Sequence, residues 1–103
     1  MNKKDLNIAK RYAETIKKNG INLKSLYVFG SRVMGTSKKW SDLDTCVVSN
    51  DFGKDRVFER VKLMCLGRTI SLLIEPHPFS EKEFENKENM LAQQIQKTGI
   101  KIV

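Results

Sequence analysis

A chain of 103 residues, 40% hydrophobic and 30% charged, is long enough for one hydrophobic core and too short for a separate substrate domain, so a single domain over residues 1–103 is expected. Nineteen Lys and Arg against twelve Asp and Glu give a net charge of +7, which suits a polyanionic ligand, an acidic protein surface or a solubilising lysine coat. No apolar run approaches the roughly twenty residues that cross a bilayer, and two cysteines, Cys46 and Cys65, lack metal-ligand spacing, so buried free thiols in a cytoplasmic protein are expected rather than a disulfide scaffold.

The apolar positions Leu6, Ala9, Tyr12, Ala13 and Ile16 recur at helical spacing, and Asn19-Gly20 offers the left-handed closure that ends a helix. Leu26-Tyr27-Val28-Phe29 reads as a short buried strand that stops at Gly30. The run Asp42 to Val48 reads as a second strand. Asp55 is placed to cap a second helix whose buried stripe is predicted as Val57, Phe58, Val61, Met64 and Cys65, with Gly67 after its end. Thr69 to Glu75 reads as a third strand, followed by a Pro76-His77-Pro78 turn in which His77, the only histidine, has a structural place. Ser80 and Glu83 have capping-box spacing, with Phe79 and Phe84 as the hydrophobic staple. Asn86 to Asn89 interrupts this helix before Met90, Leu91 and Ile95 resume an apolar stripe that Gly99 closes, and Ile100 to Val103 can add an edge strand.

Chemistry concentrates between the first two strands. The Gly30-Ser31 turn exposes backbone N–H groups and a hydroxyl to anionic oxygens, and Arg32, Lys38 and Lys39 add positive charge along the same connection. Strand alternation turns Asp42 and Asp44 to one face while Leu43 enters the core, separating the two carboxylates by about 6–7 Å along the strand. Carboxylates so placed repel each other unless a cation lies between them, and magnesium prefers carboxylate together with phosphate oxygen. Trp40, in the same loop, is placed either to stack on a base or partner or to cover the core edge. Arg56 and Arg60 lie one turn apart on what reads as a solvated helix face.

The segment Val28 to Thr36 (Val-Phe-Gly-Ser-Arg-Val-Met-Gly-Thr), followed by Trp40-Ser41-Asp42-Leu43-Asp44, resembles the signature of the minimal nucleotidyltransferases of the DNA polymerase beta superfamily. It is similar in spacing to the antitoxins of that fold paired with HEPN toxins. The resemblance implies an α/β (α+β) nucleotidyltransferase fold, a small mixed sheet packed against helices. It also implies that Gly30, Ser31, Arg32 and Ser41 hold the nucleotide, that Asp42 and Asp44 bind Mg²⁺, and that a third carboxylate on a later strand completes the catalytic set. The position aligned with that third acid is Ser71, which cannot supply the charge. Glu75 is the substitute considered, although four residues of strand separate it from Ser71 by about 13 Å.

By resemblance, the chain is expected to transfer AMP from Mg-ATP to an acceptor hydroxyl, such as a tyrosine of a HEPN-type partner toxin. Being minimal, it is expected to rely on that partner or on a homodimer for acceptor choice. The alternative is a catalytically impaired module of the same fold that neutralises or scaffolds a partner protein. RNA binding is the weaker reading, because no aromatic-rich platform accompanies the basic residues.

Overall fold

In the computed structural model, which describes residues Met1 to Val103, the polar Asn2 side chain accepts from the Asp5 amide and starts helix α1, Lys3–Lys18. Of its predicted apolar stripe, Ala9, Tyr12, Ala13 and Ile16 are buried and Leu6 is half-buried. The rest of the chain runs β1 (Leu23–Phe29), the single-turn α2 (Ser31–Met34), β2 (Leu43–Ser49), α3 (Arg56–Arg68), β3 (Ile74–Phe79), α4 (Glu81–Glu85), α5 (Met90–Thr98) and β4 (Ile100–Lys101). The sheet order is β3-β2-β1-β4. Strand β1 pairs antiparallel with both β2 and β4, while β2 pairs parallel with β3. The expected mixed sheet packed against helices is therefore what forms.

Alternation along the strands divides the apolar residues between two cores. Leu26, Val28, Leu43, Val47 and Ile74 pack with Ala9, Tyr12, Ile16 and Leu63, under α1 and α3. Cys46, Val48 and Phe79 pack with Phe84, Ala92 and Ile95 on the other face, under α4 and α5. Burial pushes the Cys46 thiol well above the usual range, so it is an inert filler.

Three expected elements shift. The second strand begins at Leu43, and Asp42 precedes it. Residues 69–73 turn rather than extend, with the Ser71 and Ile70 amides both donating to the Gly67 carbonyl at 2.9 Å, and β3 instead runs through Pro76-His77-Pro78. Proline is tolerated there because β3 is an edge strand, and two prolines two residues apart lack their N–H on the same outer side. The Pro78 carbonyl is approached by Arg56 Nη1 at 3.5 Å.

The third shift is in α3. Its buried positions are Glu59, Leu63 and Gly67, whereas Val57, Phe58 and Val61 are 75%, 65% and 52% exposed and Cys65 is exposed too. Two constraints rotate the helix. Gly67 lies inside α3, where a Cβ would come within 3.1 Å of Ile74 Cγ2, so the missing side chain lets helix and strand approach. Glu59 turns inward because its carboxylate accepts from the amides of Gly53, Lys54 and Asp55, which shapes the turn ahead of the helix.

Two boundaries also move, β1 starting at Leu23 rather than Leu26 and β4 covering only Ile100–Lys101, while the capping expectations match. Asp55 accepts from the Phe58 amide, Asn89 starts α5 after the predicted interruption, and the Ser80–Glu83 capping box is complete, with Phe79 against Phe84 at 5.8 Å. Although its partial burial acts the other way, hydrogen bonds from Ser80 and Arg56 hold the Glu83 carboxyl below the usual glutamate range. A depressed carboxylate stabilises the fold above its unfolded pKa, and that contribution is lost as pH falls through the folded value. Ser80→Ala is expected to cost about 1 kcal/mol at neutral pH. In urea titrations the Glu83→Gln variant should lose less stability than the native chain on acidification to pH about 3.

Candidate active site

Every residue of the candidate site lies at one end of the sheet, where β1 stops and β2 and β3 start. Gly30 ends β1 with φ 82° and ψ −154°, a conformation essentially restricted to glycine. A Cβ there would stand 2.6 Å from Asp44 Oδ2, so the absent side chain also makes room for the carboxylate. The Gly30 carbonyl accepts from Val33 and Met34 at 3.0 Å each. That arrangement starts α2 and leaves the Ser31 and Arg32 amides, first in the helix, without an intrahelical acceptor.

Pairing sets a row of residues across the sheet. Phe29 lies opposite Asp44, and Asp44 opposite Glu75; one step on, Tyr27 lies opposite Cys46, and Cys46 opposite His77. Paired residues project to one face, so Asp44, Glu75 and His77 share the face that α4 and α5 cover only over Cys46, Val48 and Phe79. The side chains of Asp44, Glu75 and His77 accordingly remain 28%, 25% and 27% exposed. His77 Nε2 lies 3.3 Å from Asp44 Oδ1, and its ring stands 5.2 Å from that of Phe29. Glu75 is held in an ion pair by Arg60 of α3.

The fold separates the other sequence-predicted residues by task. Asp42 is exposed just ahead of β2, and Ser31 is partly exposed at the start of α2. Arg32, expected at the nucleotide, is engaged within the fold: its guanidinium donates to the Ser41 carbonyl at 2.7 and 3.1 Å and to the Lys39 carbonyl at 3.1 Å, and faces Asp5 at 3.5 Å. Ser41, expected beside it, closes the loop, its hydroxyl accepting from the Lys38 amide at 2.8 Å. Both residues shape the loop between α2 and β2, the guanidinium by holding two of its carbonyls and the Ser41 hydroxyl by accepting one of its amides. Trp40 at its tip is 78% exposed, with Lys39 Nζ 5.2 Å from the ring centroid.

Ser71, aligned with the missing acid, lies in the turn before β3, and its hydroxyl accepts from the Leu73 amide. Glu75 occupies the strand position opposite Asp44 instead. The places of Arg60 and Asp5 around the site are not legible in the sequence. The alternation of Glu75, His77 and Phe79 with Ile74, Pro76 and Pro78 carries the signal for His77, hidden by prolines that read as a turn.

No three His, Cys, Asp or Glu side chains converge as a closed metal cage. The donors at this edge are carboxylate oxygens with solvent-facing sides, which fits a hard divalent cation that completes its shell with water and phosphate oxygen.

A family model for the nucleotidyltransferase domain matches residues 9–102. No curated protein matches the sequence. Among solved structures, a candidate nucleotidyltransferase of Sulfolobus solfataricus superposes with a TM-score of 0.67 at 24% identity, over 95% of this chain and 78% of that one. A toxin–antitoxin complex with AMP-PNP gives 0.69 at 22% identity, over 94% and 73%. A mutant of the toxin–antitoxin pair MntA–HpeT gives 0.67 at 17% identity, over 92% and 71%. With a glycine-ended strand feeding an acidic sheet edge and a family match that runs almost from end to end, the chain belongs to the nucleotidyltransferase domain family.

Proposed function

We propose that the chain transfers AMP from ATP to an acceptor hydroxyl, using the Gly30-Ser31 turn for the triphosphate and the acidic edge of β2 and β3 for the reaction. The observation that carries this reading is the close approach of Gly30 to Asp44, which brings the phosphate-binding turn and a carboxylate to one point. Asp42 and Asp44 would hold Mg²⁺, whose chemistry is to neutralise phosphoryl charge and orient the oxygens.

The chain's own residues divide the remaining work. The Ser31 hydroxyl and the first amides of α2 bind the leaving pyrophosphate, with Lys38 and Lys39 adding charge. His77 fixes the Asp44 carboxylate by hydrogen bonding. The acceptor oxygen bonds to the α-phosphorus, the bond to pyrophosphate breaks, and the acceptor proton passes to the carboxylate of Glu75, which Arg60 must first release. Trp40, beside Lys39, offers a face for the base.

The acceptor we infer is a tyrosine on a HEPN-type toxin, and the chain would act beside it in the cytoplasm. Support comes from the fold shared with toxin–antitoxin structures and from the exposed Val57, Phe58 and Val61 on α3, a surface suited to a protein partner. No helix is long and apolar enough to cross a membrane. With ATP labelled at the α-phosphate, label should move to a co-expressed HEPN-type protein with the native chain and not with Asp44→Asn. Absence of transfer while nucleotide and divalent ion still bind would overturn the reading.

A second reading is favoured by one observation, the commitment of Glu75 to Arg60. If that pair persists, the chain is a binding module that neutralises its partner by contact. A stable complex that inhibits the partner without AMP transfer is the outcome that selects it.

A further inference from the structure

The parallel register places Glu75 opposite Asp44, on strands about 4.8 Å apart, yet the two carboxylates do not gather with a third ligand into a metal-holding group. Glu75 instead has a partner from outside the sheet. Strand β3 is the edge, so a long side chain from α3 can reach round it. Arg60 does so and binds Glu75, and Arg56, one turn earlier, does the same with Glu83. Arg56 and Arg60, with His77, Pro78, Phe79 and Leu91, border a cavity of about 120 Å³ at this edge.

We propose that Arg60 is a displaceable counter-ion for Glu75, a latch that sets how many divalent cations the acidic edge takes. The inference rests on the reading of Asp42 and Asp44 as the cation site. With the latch closed, the guanidinium satisfies Glu75, keeps its carboxylate from Asp44 and places a positive charge beside any incoming cation, so the edge takes one ion tightly and a second only weakly. With the latch open, Asp44 and Glu75 are like charges on neighbouring strands, and a second cation between them relieves their repulsion. The exchange is accessible because the Arg60 and Glu75 side chains are 45% and 25% exposed. An ion pair in that setting is screened and weak enough to give way. A guanidinium is also permanently charged, so the latch is released by competing ions rather than by deprotonation.

The test is a titration of the full chain with Mn²⁺, a paramagnetic stand-in for Mg²⁺, with free ion read by electron paramagnetic resonance. The native chain should bind one ion tightly, and Asp44→Asn should weaken it. Arg60→Ala should bind a second ion about tenfold more tightly than the native chain does, through loss of the competing pair and of the adjacent positive charge. Arg60→Lys, which keeps the charge, should stay near the native chain, and Arg60→Ala combined with Glu75→Gln should lose the gain. Circular dichroism controls for folding, which a half-exposed side chain should not alter. An Arg60→Ala titration identical to the native one, or a gain that survives Glu75→Gln, overturns the latch while leaving the cation site standing. Native binding that ignores Asp44→Asn overturns the site reading and the latch with it.

Discussion

Arg32→Ala is expected to destabilise the fold by about 3–5 kcal/mol, the usual cost of removing one partner from a buried ion pair. The side chains of Arg32 and Asp5 are only 10% and 5% exposed, so solvent does little to compensate the carboxylate left behind. The same substitution releases the Lys39 and Ser41 carbonyls, which the guanidinium ties to α2. Against a typical stability of about 5–15 kcal/mol for a domain, the loss is a large fraction, and urea denaturation at neutral pH measures it. Arg32→Lys should recover only part, because an ammonium cannot span two carbonyls and a carboxylate with a rigid fork. Adding Asp5→Asn to Arg32→Ala should restore stability by removing the orphaned charge. A residue whose role was phosphate binding alone would show none of this coupling.

Gly30→Ala is expected to damage both stability and the site. The backbone conformation at Gly30 costs a side-chain-bearing residue about 1–3 kcal/mol. The added Cβ would also sit 2.6 Å from Asp44 Oδ2, inside contact distance. The strand end and the carboxylate cannot both stay in place. Urea titration should show a loss of about 3 kcal/mol once the steric term is added, and Mn²⁺ binding should fall with it. Gly20→Ala is the control: it shares a positive φ of 82°, but a Cβ there would meet nothing within 4 Å, so it should cost stability and leave ion binding alone.

Much of this architecture can be read directly from residue patterns. The α1 stripe, the Ser80–Glu83 capping box and the Asn89 and Gly99 boundaries depend on neighbours within one or two turns, and local periodicity and capping chemistry specify such features. The buried face of α3 escapes that kind of reading because two faces compete there, and the winner is chosen by partners distant in sequence. Gly67 must meet Ile74, and Tyr12 donates to the Leu63 carbonyl at 2.8 Å. The extent of β3 escapes it too, because within a sheet prolines such as Pro76 and Pro78 are confined largely to an edge strand, and only the sheet order reveals the edge.

By itself the sequence determined the family, the two-residue turn at Gly30-Ser31 and the presence of Asp42 and Asp44 beside it, because these lie within fifteen residues and their chemistry is local. Only the tertiary structure decided which groups share the site with them. Parallel pairing of β2 with β3 set Glu75 and not Ser71 opposite Asp44, burial of Asp5 turned Arg32 into a brace, and wrapping of α3 side chains round the sheet edge brought Arg60 to Glu75. Each of these depends on strand register or on helix placement across many residues, and register is fixed by the packing of whole faces rather than by any single motif.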